Sequence, residues 1–303
     1  MSQPAAGSSR KGLFSRDDYL APPHIPTGQP PRDVLNTIWR KNEVFLDIGS
    51  YSIGSFVMVM WPPLLLCLWF MPPLERLDVA YGFIIFCFVI FPALMLLYVV
   101  AQPVPPPVRF NRQRREVCVP QKDGSYWIVP WEQVTATATA VSSIGQHGKT
   151  TQGLLVVGFT NPDPNARDED KHFSLGFSCG GGTTAMCLWE CMRSYMEIGP
   201  EATPPAAKLD AGGTFKYYKD YMTQKAKERG WLLTFLWEGV CGFLVFNAPL
   251  SMYLQRKKLS PPPDLTDPTI VKWSQPLPPE QWAKRSPELE QAIAKREAEL
   301  AAA

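Results

Sequence analysis

The residues in this 303-residue chain whose types and spacing could do chemistry are few. Cys179-Gly-Gly-Gly-Thr-Thr184 precedes a predicted helix, where backbone N–H groups can hold a phosphate. It lacks the lysine and spacing of a phosphate-binding loop. It reads as a flexible strand-to-helix turn, with a lipid phosphate as the alternative. Cys187 and Cys191 stand one helical turn apart near Cys179, but a zinc site takes four ligands, or three and a water. The histidines are His24, His147 and His172, so buried thiols beside Trp189 are expected instead of a metal centre. No nucleophile elbow, His-Glu-x-x-His or paired-carboxylate pattern occurs, and His172 alone makes no triad. The chain therefore does not read as an enzyme, and no catalytic, cofactor-binding or metal residue is expected.

Two basic, aromatic groups remain. Arg112, Arg114 and Arg115, with Trp131 downstream, are candidate contacts for a protein partner or for anionic headgroups. Their plainer reading is a positive-inside signal for the arginines and a core anchor for the tryptophan. Lys216, Lys219, Lys225 and Trp231 are candidate membrane-surface residues, because Phe215 to Met222 reads as a basic amphipathic helix with Phe215, Tyr218 and Met222 on one face. That helix either binds an anionic leaflet or packs on a neighbouring sheet.

The elements that must position these residues are dominated by Ile48 to Val108. Ile48–Leu74 and Val79–Val108 carry no charge, and each exceeds the roughly 20 apolar residues a crossing helix needs. Glu75, Arg76, Leu77 and Asp78 separate them after Pro72-Pro73. Neither run shows the polar stripe of a helix in a soluble core. Residues 34–107 are therefore expected to be a transmembrane hairpin, with spans at about 52–71 and 80–101. Pro62-Pro63 and Pro92 should kink the spans. The absence of ionisable residues within them disfavours a transport path. Arg32, Arg40 and Lys41 precede the hairpin and Arg109 to Arg115 follow it, so both of its ends should be cytoplasmic.

Seven cysteines without a paired spacing argue against a disulfide framework and for a reducing compartment. A net charge of +2 is too small to suggest nucleic acid. Mean hydropathy of -0.11 makes the apolar hairpin a minority of the chain. Residues 1–33, rich in proline, are expected to be disordered, and Pro31 to Lys41 to be a short surface helix or a flexible lead-in.

After Pro107 the period changes. Val108–Asn111, Glu116–Pro120, Tyr126–Val129, Val134–Val141, Gly153–Thr160 and His172–Ser178 read as short strands. Asp123-Gly124 supplies a hairpin turn. A helix from Thr183 or Thr184 follows, with Ala185, Leu188, Trp189, Met192 and Met196 on one face and Glu190, Arg193 and Glu197 pointing away. The expected fold class is membrane α+β. Residues 108–199 form a small antiparallel β domain closed by an amphipathic helix, the element order of pleckstrin-homology-like domains.

Residues 200–258 hold a linker, the basic helix and the apolar stretch Trp231–Leu254. Glu238, Asn247 and Pro249 disfavour a crossing there, as do the basic clusters at both ends. A helix in the interface or a bent pair dipping back is preferred. Residues 259–303 read as a Pro-rich linker and a polar helix capped by Ser286 with Pro287 at its first turn, an exposed tail or a docking element.

Arg109-Phe-Asn-Arg-Gln-Arg-Arg-Glu-Val117, Asp123-Gly124, Val129-Pro-Trp-Glu-Gln-Val134 and Met196-Glu-Ile-Gly-Pro-Glu-Ala-Thr-Pro204 carry a likeness. Across about residues 35 to 255 the chain resembles a bacterial group of two-span membrane proteins of unknown function, often encoded close to type VI secretion effectors. The resemblance implies an inner-membrane protein of a secretion or toxin-defence locus and supplies no catalytic residues. It points to an immunity or accessory factor; the alternative is a lipid-sensing module. The partners expected are membrane lipids, a secreted toxin or secretion-machinery protein, and further copies of the chain as a homo-oligomer.

Overall fold

The computed structural model describes the chain except residues 1–7, 14, 21–23, 34, 71–78, 146–147, 180–181, 208–212 and 303; for 142–145, 148–151 and 169 it describes the backbone alone. The chain divides into two compact units. A sheet unit comprises Met1–Ser50, Pro106–Ala207 and Asp264–Ala303, and a helical unit comprises Tyr51–Pro105 and Lys208–Pro263.

The sheet unit is built from two five-stranded antiparallel sheets. One orders β1 (Ser9–Lys11), β2 (Ser15–Tyr19), β8 (Thr135–Gly145), β9 (Gly148–Thr160) and β10 (His172–Cys179). The other orders β3 (Ile38–Lys41), β4 (Phe45–Ile48), β5 (Val108–Asn111), β6 (Glu116–Pro120) and β7 (Tyr126–Pro130). The expected strands after Pro107 are all present. The β6–β7 turn uses Gly124 at φ 86, a left-handed conformation that glycine adopts without steric cost, and Asp123 accepts from the Ser125 N–H beside it. In β8 the threonine–alanine alternation puts Ala136 and Ala138 into the core, where their small side chains leave room for α3 (Gly182–Glu197).

Three expectations need correction here. Residues 1–33 are not wholly disordered: β1 and β2 add to the sheet, with Ser15–Tyr19 paired to Thr137–Val141. Edge pairing needs only backbone donors and acceptors, so poor hydrophobicity did not forbid it. Ile38–Lys41 is a strand and not a surface helix. It pairs with β4, which in turn pairs with β5 across the whole intervening apolar stretch. The β unit therefore does not begin at residue 108. Finally, Glu190 and Arg193 of α3 are buried, as is Glu197, because segments from both chain ends cover that face.

The core centres on Trp131 and Trp189, whose rings lie 5.6 Å apart, with Phe110 edge-on to Trp131 at 5.8 Å. Towards the C-terminus come α7 (Pro268–Trp273), capped by Asp267, and α8 (Pro287–Ala301), capped as expected by Ser286 accepting from the Leu289 N–H. Leu289 and Ile293 of α8 are buried, so this helix is packed and not a free tail.

The helical unit contains α1 (Ile53–Trp69), α2 (Val79–Ala101), α4 (Thr214–Arg229), α5 (Trp231–Val245) and α6 (Ala248–Lys258). Among the described residues, α2 is the one unbroken helix long and apolar enough to cross a membrane, and its apolar window is unburied. It is wound as a π turn over Phe86–Ile90, just ahead of Pro92. The proline ring cannot sit against the carbonyl four residues back, and the wider turn relieves that clash. Apolar α1 ends at Trp69 after 17 residues and runs through Pro62 and Pro63. The expected connection at Glu75–Asp78 and the Pro72-Pro73 pair lie outside the described residues. Helices α5 and α6 meet at 67°. Asn247 makes the break, left-handed at φ 47, with its side chain accepting from the Leu250 N–H.

Candidate functional site

The arginines and tryptophan singled out in the sequence fall on the β5–β6 turn and the start of the β7–β8 connection, and the structure turns two of them inward. Glu197, almost fully buried at the end of α3, gathers them. It accepts two hydrogen bonds from Arg115 (3.1 and 2.9 Å), one from Trp131 Nε1 (2.8 Å) and one from Arg285 Nε (2.5 Å). Burial works to raise the Glu197 carboxyl, but the Arg115 hydrogen bond and charge outweigh it and hold the pKa below the usual range. Arg115 itself sits at φ 52, unusual for a residue with a side chain, and its guanidinium is buried. Arg115 and Trp131 therefore serve the interior and present no contact surface. Arg114 donates to the Trp273 carbonyl oxygen. Arg112 donates to the Ile198 carbonyl oxygen and lies over the Trp282 ring at 5.4 Å.

A second charged seam lies across β4 and β5. Arg109 forms a two-pronged pair with fully buried Asp47 (2.6 and 2.7 Å) and also donates to Asp264 at 2.7 Å. Burial raises the Asp47 carboxyl above its usual range even against Arg109 and Arg40, so its charge depends on these partners. A third seam joins Glu190 to Arg193 on α3, with the Thr27 hydroxyl donating to Glu190 at 2.8 Å. Nothing in composition marked these pairs. The one available signal was the placing of Glu190, Arg193 and Glu197 at helical spacing on a single face of α3.

The thiols behave as expected from their packing. Cys179, Cys187 and Cys191 are buried and unpaired, and burial raises all three above the ordinary thiol range. Burial likewise pushes Cys118 up to about 12. Among the described residues no group of three potential metal ligands comes together. Gly180 and Gly181 of the glycine run, and His147, lie outside the described residues. His172 borders an open groove of about 630 Å³ with Trp127, Phe173, Asp163 and Arg167. His24 is buried, and that burial holds its pKa below the ordinary value.

The helical unit reverses this pattern. Trp69, Phe83, Leu97, Trp231, Leu232 and Trp237 are among many large apolar side chains left exposed. Its helices approach closely where residues are small. A Cβ on Gly54 of α1 would collide with Ser251 Oγ of α6. Trp61 Nε1 donates to the Leu244 carbonyl oxygen at 3.1 Å. Beside α5 packs α4, joined to it through Gly230 at φ 88. Tyr218 is buried there and donates to the Glu238 carbonyl oxygen, while Phe215, expected on the same face, is 76% exposed. Glu238, the acid inside the apolar stretch, pairs with Arg229 at 2.5 Å and accepts from Tyr221. Lys216, Lys219 and Trp231 are exposed; Lys225 pairs with Glu228.

A family model matches residues 85–263, more than half of the chain. The chain belongs to DUF6708, a family of unknown function. The DUF6708 match runs from the first third of α2 through β5–β10 and α3 to the end of the helical unit. It takes in Arg109, Glu197 and all the candidate contact residues, and leaves out Asp47 and Arg285. No curated protein and no solved structure matches the chain.

Proposed function

We propose that this DUF6708 chain is a bacterial inner-membrane protein-interaction factor, an immunity or accessory protein of a type VI secretion effector. The observation that carries the anchoring is the pairing of Ile48 with Val108. The apolar stretch leaves the sheet unit from β4 and re-enters it on the adjacent β5, so it must return to the side it left. If α2 crosses, an even number of crossings requires a second, and α1 is the apolar helix at hand. Its 17 residues span about 26 Å at 1.5 Å per residue, close to a hydrocarbon thickness of about 30 Å. Arg40 and Lys41 before the excursion and Arg109 to Arg115 after it favour a cytoplasmic sheet unit.

The interaction role rests on the resemblance to proteins encoded beside secretion effectors. Its test is capture of the tagged full chain in mild detergent from its native host. A stoichiometric secreted toxin, neutralised when the chain is co-expressed with it, supports immunity. A stoichiometric secretion component without neutralisation supports the accessory role. Recovery of the chain with lipid alone overturns both.

A further inference from the structure

The second excursion, residues 208–263, also starts and ends at one place. Before it, the Ala207 N–H donates to the Ile38 carbonyl oxygen on β3. After it, Asp264 pairs with Arg109 at 2.7 Å and approaches Arg40, again on β3, at 3.7 Å. The excursion must therefore cross a membrane an even number of times or not at all. Within it, α4 carries Lys216, Lys219, Lys225, Lys227 and Arg229 and cannot be a span. A single crossing by α5–α6 is thereby excluded, and the 67° break at Asn247 fits a segment that dips in and turns back.

What this segment builds with α4 is two-sided. Helix α5 exposes Trp231, Leu232, Leu233, Leu236 and Trp237, while the neighbouring α4 exposes Lys216, Lys219 and Lys227. Glu238, the only acid on α5, is paired with Arg229 and accepts a hydrogen bond from Tyr221. At the other end of α4, the Arg256 guanidinium stacks on Tyr217 at 4.6 Å and Lys257 lies over Tyr253 at 5.8 Å. Among the described residues, Lys216, Lys219, Lys227 and Lys257 have no ion-pair partner. Lys258 donates to the Gln102 carbonyl oxygen just past the end of α2, and Arg256 joins the same stretch of α6 to Tyr217, so Lys257 and the N-terminal part of α4 with Lys216 and Lys219 lie beside the end of the apolar helix. Positive charge gathered where apolar side chains begin is the arrangement that meets lipid phosphates above acyl chains.

We propose that α4 with the bent pair α5–α6 is a re-entrant binding site for anionic phospholipid headgroups, with Lys216, Lys219 and Lys257 meeting the phosphates and α5 resting among the acyl chains. This inference rests on the membrane anchoring proposed above. It also moves lipid recognition away from Arg112, Arg114 and Arg115, whose guanidinium groups are held by the sheet unit.

The test uses the full chain in nanodiscs of phosphatidylcholine alone or mixed with phosphatidylglycerol, with native mass spectrometry counting the lipids retained after extraction. The parent should retain phosphatidylglycerol in preference to phosphatidylcholine. Each Lys→Gln change at 216, 219 and 257 should weaken that preference about fivefold, and the three together by about a hundredfold. Lys171→Gln in the sheet unit should leave it unchanged. Equal retention of both lipids by the parent, or an unaltered preference in the triple variant, overturns the site. Carbonate extraction of the same membranes separates the two readings. A chain that is released overturns the anchoring, whereas a chain that stays without lipid preference overturns the headgroup site alone.

Discussion

The two units solve opposite problems with opposite residues. The sheet unit buries charge: Asp47 with Arg109, Glu190 with Arg193, and Glu197 with Arg115 lie where water does not reach. The helical unit exposes apolar surface and keeps its one acid on α5 paired with an arginine. A buried ion pair contributes little net stability against a well-packed apolar pair, but losing one partner leaves a charge stranded. The seams therefore hold particular chain segments in particular places, since Glu197 holds Arg285 from the C-terminal region and Glu190 holds Thr27 from the N-terminal region. The helical unit needs no such specificity from charge. Its fit comes from small residues where helices touch, and its outward face suits a solvent of acyl chains.

The largest effect should come from stranding charge in the sheet unit. Glu197→Ala leaves buried Arg115 beside Trp131 with only the exposed Glu132 carboxylate at 3.4 Å and should cost about 3 kcal/mol, read as a lower denaturation midpoint of the detergent-solubilised full chain. The double change Glu197→Leu with Arg115→Met should recover part of that loss; failure to recover any would mean that the Trp131 and Arg285 bonds to Glu197, and not the Arg115 charge, carry the cost.

Acid should act on the same seam in two steps. The folded pKa of His24 is depressed by burial, so its contribution is complete above its ordinary value of 6.5 and falls away as pH drops through the folded value. Glu197, held below its ordinary 4.5, begins to lose its contribution only below that value. Proteolysis of the sheet unit followed against pH should show both steps, and His24→Gln should remove the upper one.

A smaller effect is expected in the helical unit. Gly54→Leu pushes α1 away from Ser251 and should cost about 1–3 kcal/mol as overpacking, read as a lower midpoint for loss of helicity in detergent. An unchanged midpoint would separate α1 from α6. The smallest is the cap: Ser286→Ala removes one acceptor from the first turn of α8 and should cost about 1 kcal/mol, seen as faster amide exchange confined to that helix.

How far each unit could be read in advance follows the same division. The two apolar runs, the six strands after Pro107 and the closing helix were legible because hydrophobic periodicity is a local property of the chain. The bend in Trp231–Lys258 was foreshadowed by Asn247 and Pro249, whose backbone preferences are equally local. The candidate contacts were less legible. Arg112, Arg114 and Arg115 look alike as a basic run, yet only the third turns inward, because its left-handed backbone aims the guanidinium at Glu197.

Sequence by itself determined the apolar stretches, one of which forms a helix long enough to cross a membrane, the change to strand period after them, the turn at Asp123-Gly124 and the cap at Ser286. Tertiary structure alone decided that Ser15–Tyr19 joins β8, that β4 pairs with β5 across the apolar excursion, and that both excursions leave and return beside the same strands. The physical reason is range. Periodicity and capping act within a few residues, whereas edge pairing and the Asp47–Arg109 and Glu197–Arg115 pairs join groups dozens to more than a hundred residues apart, and their partners are chosen only when the chain has closed on itself.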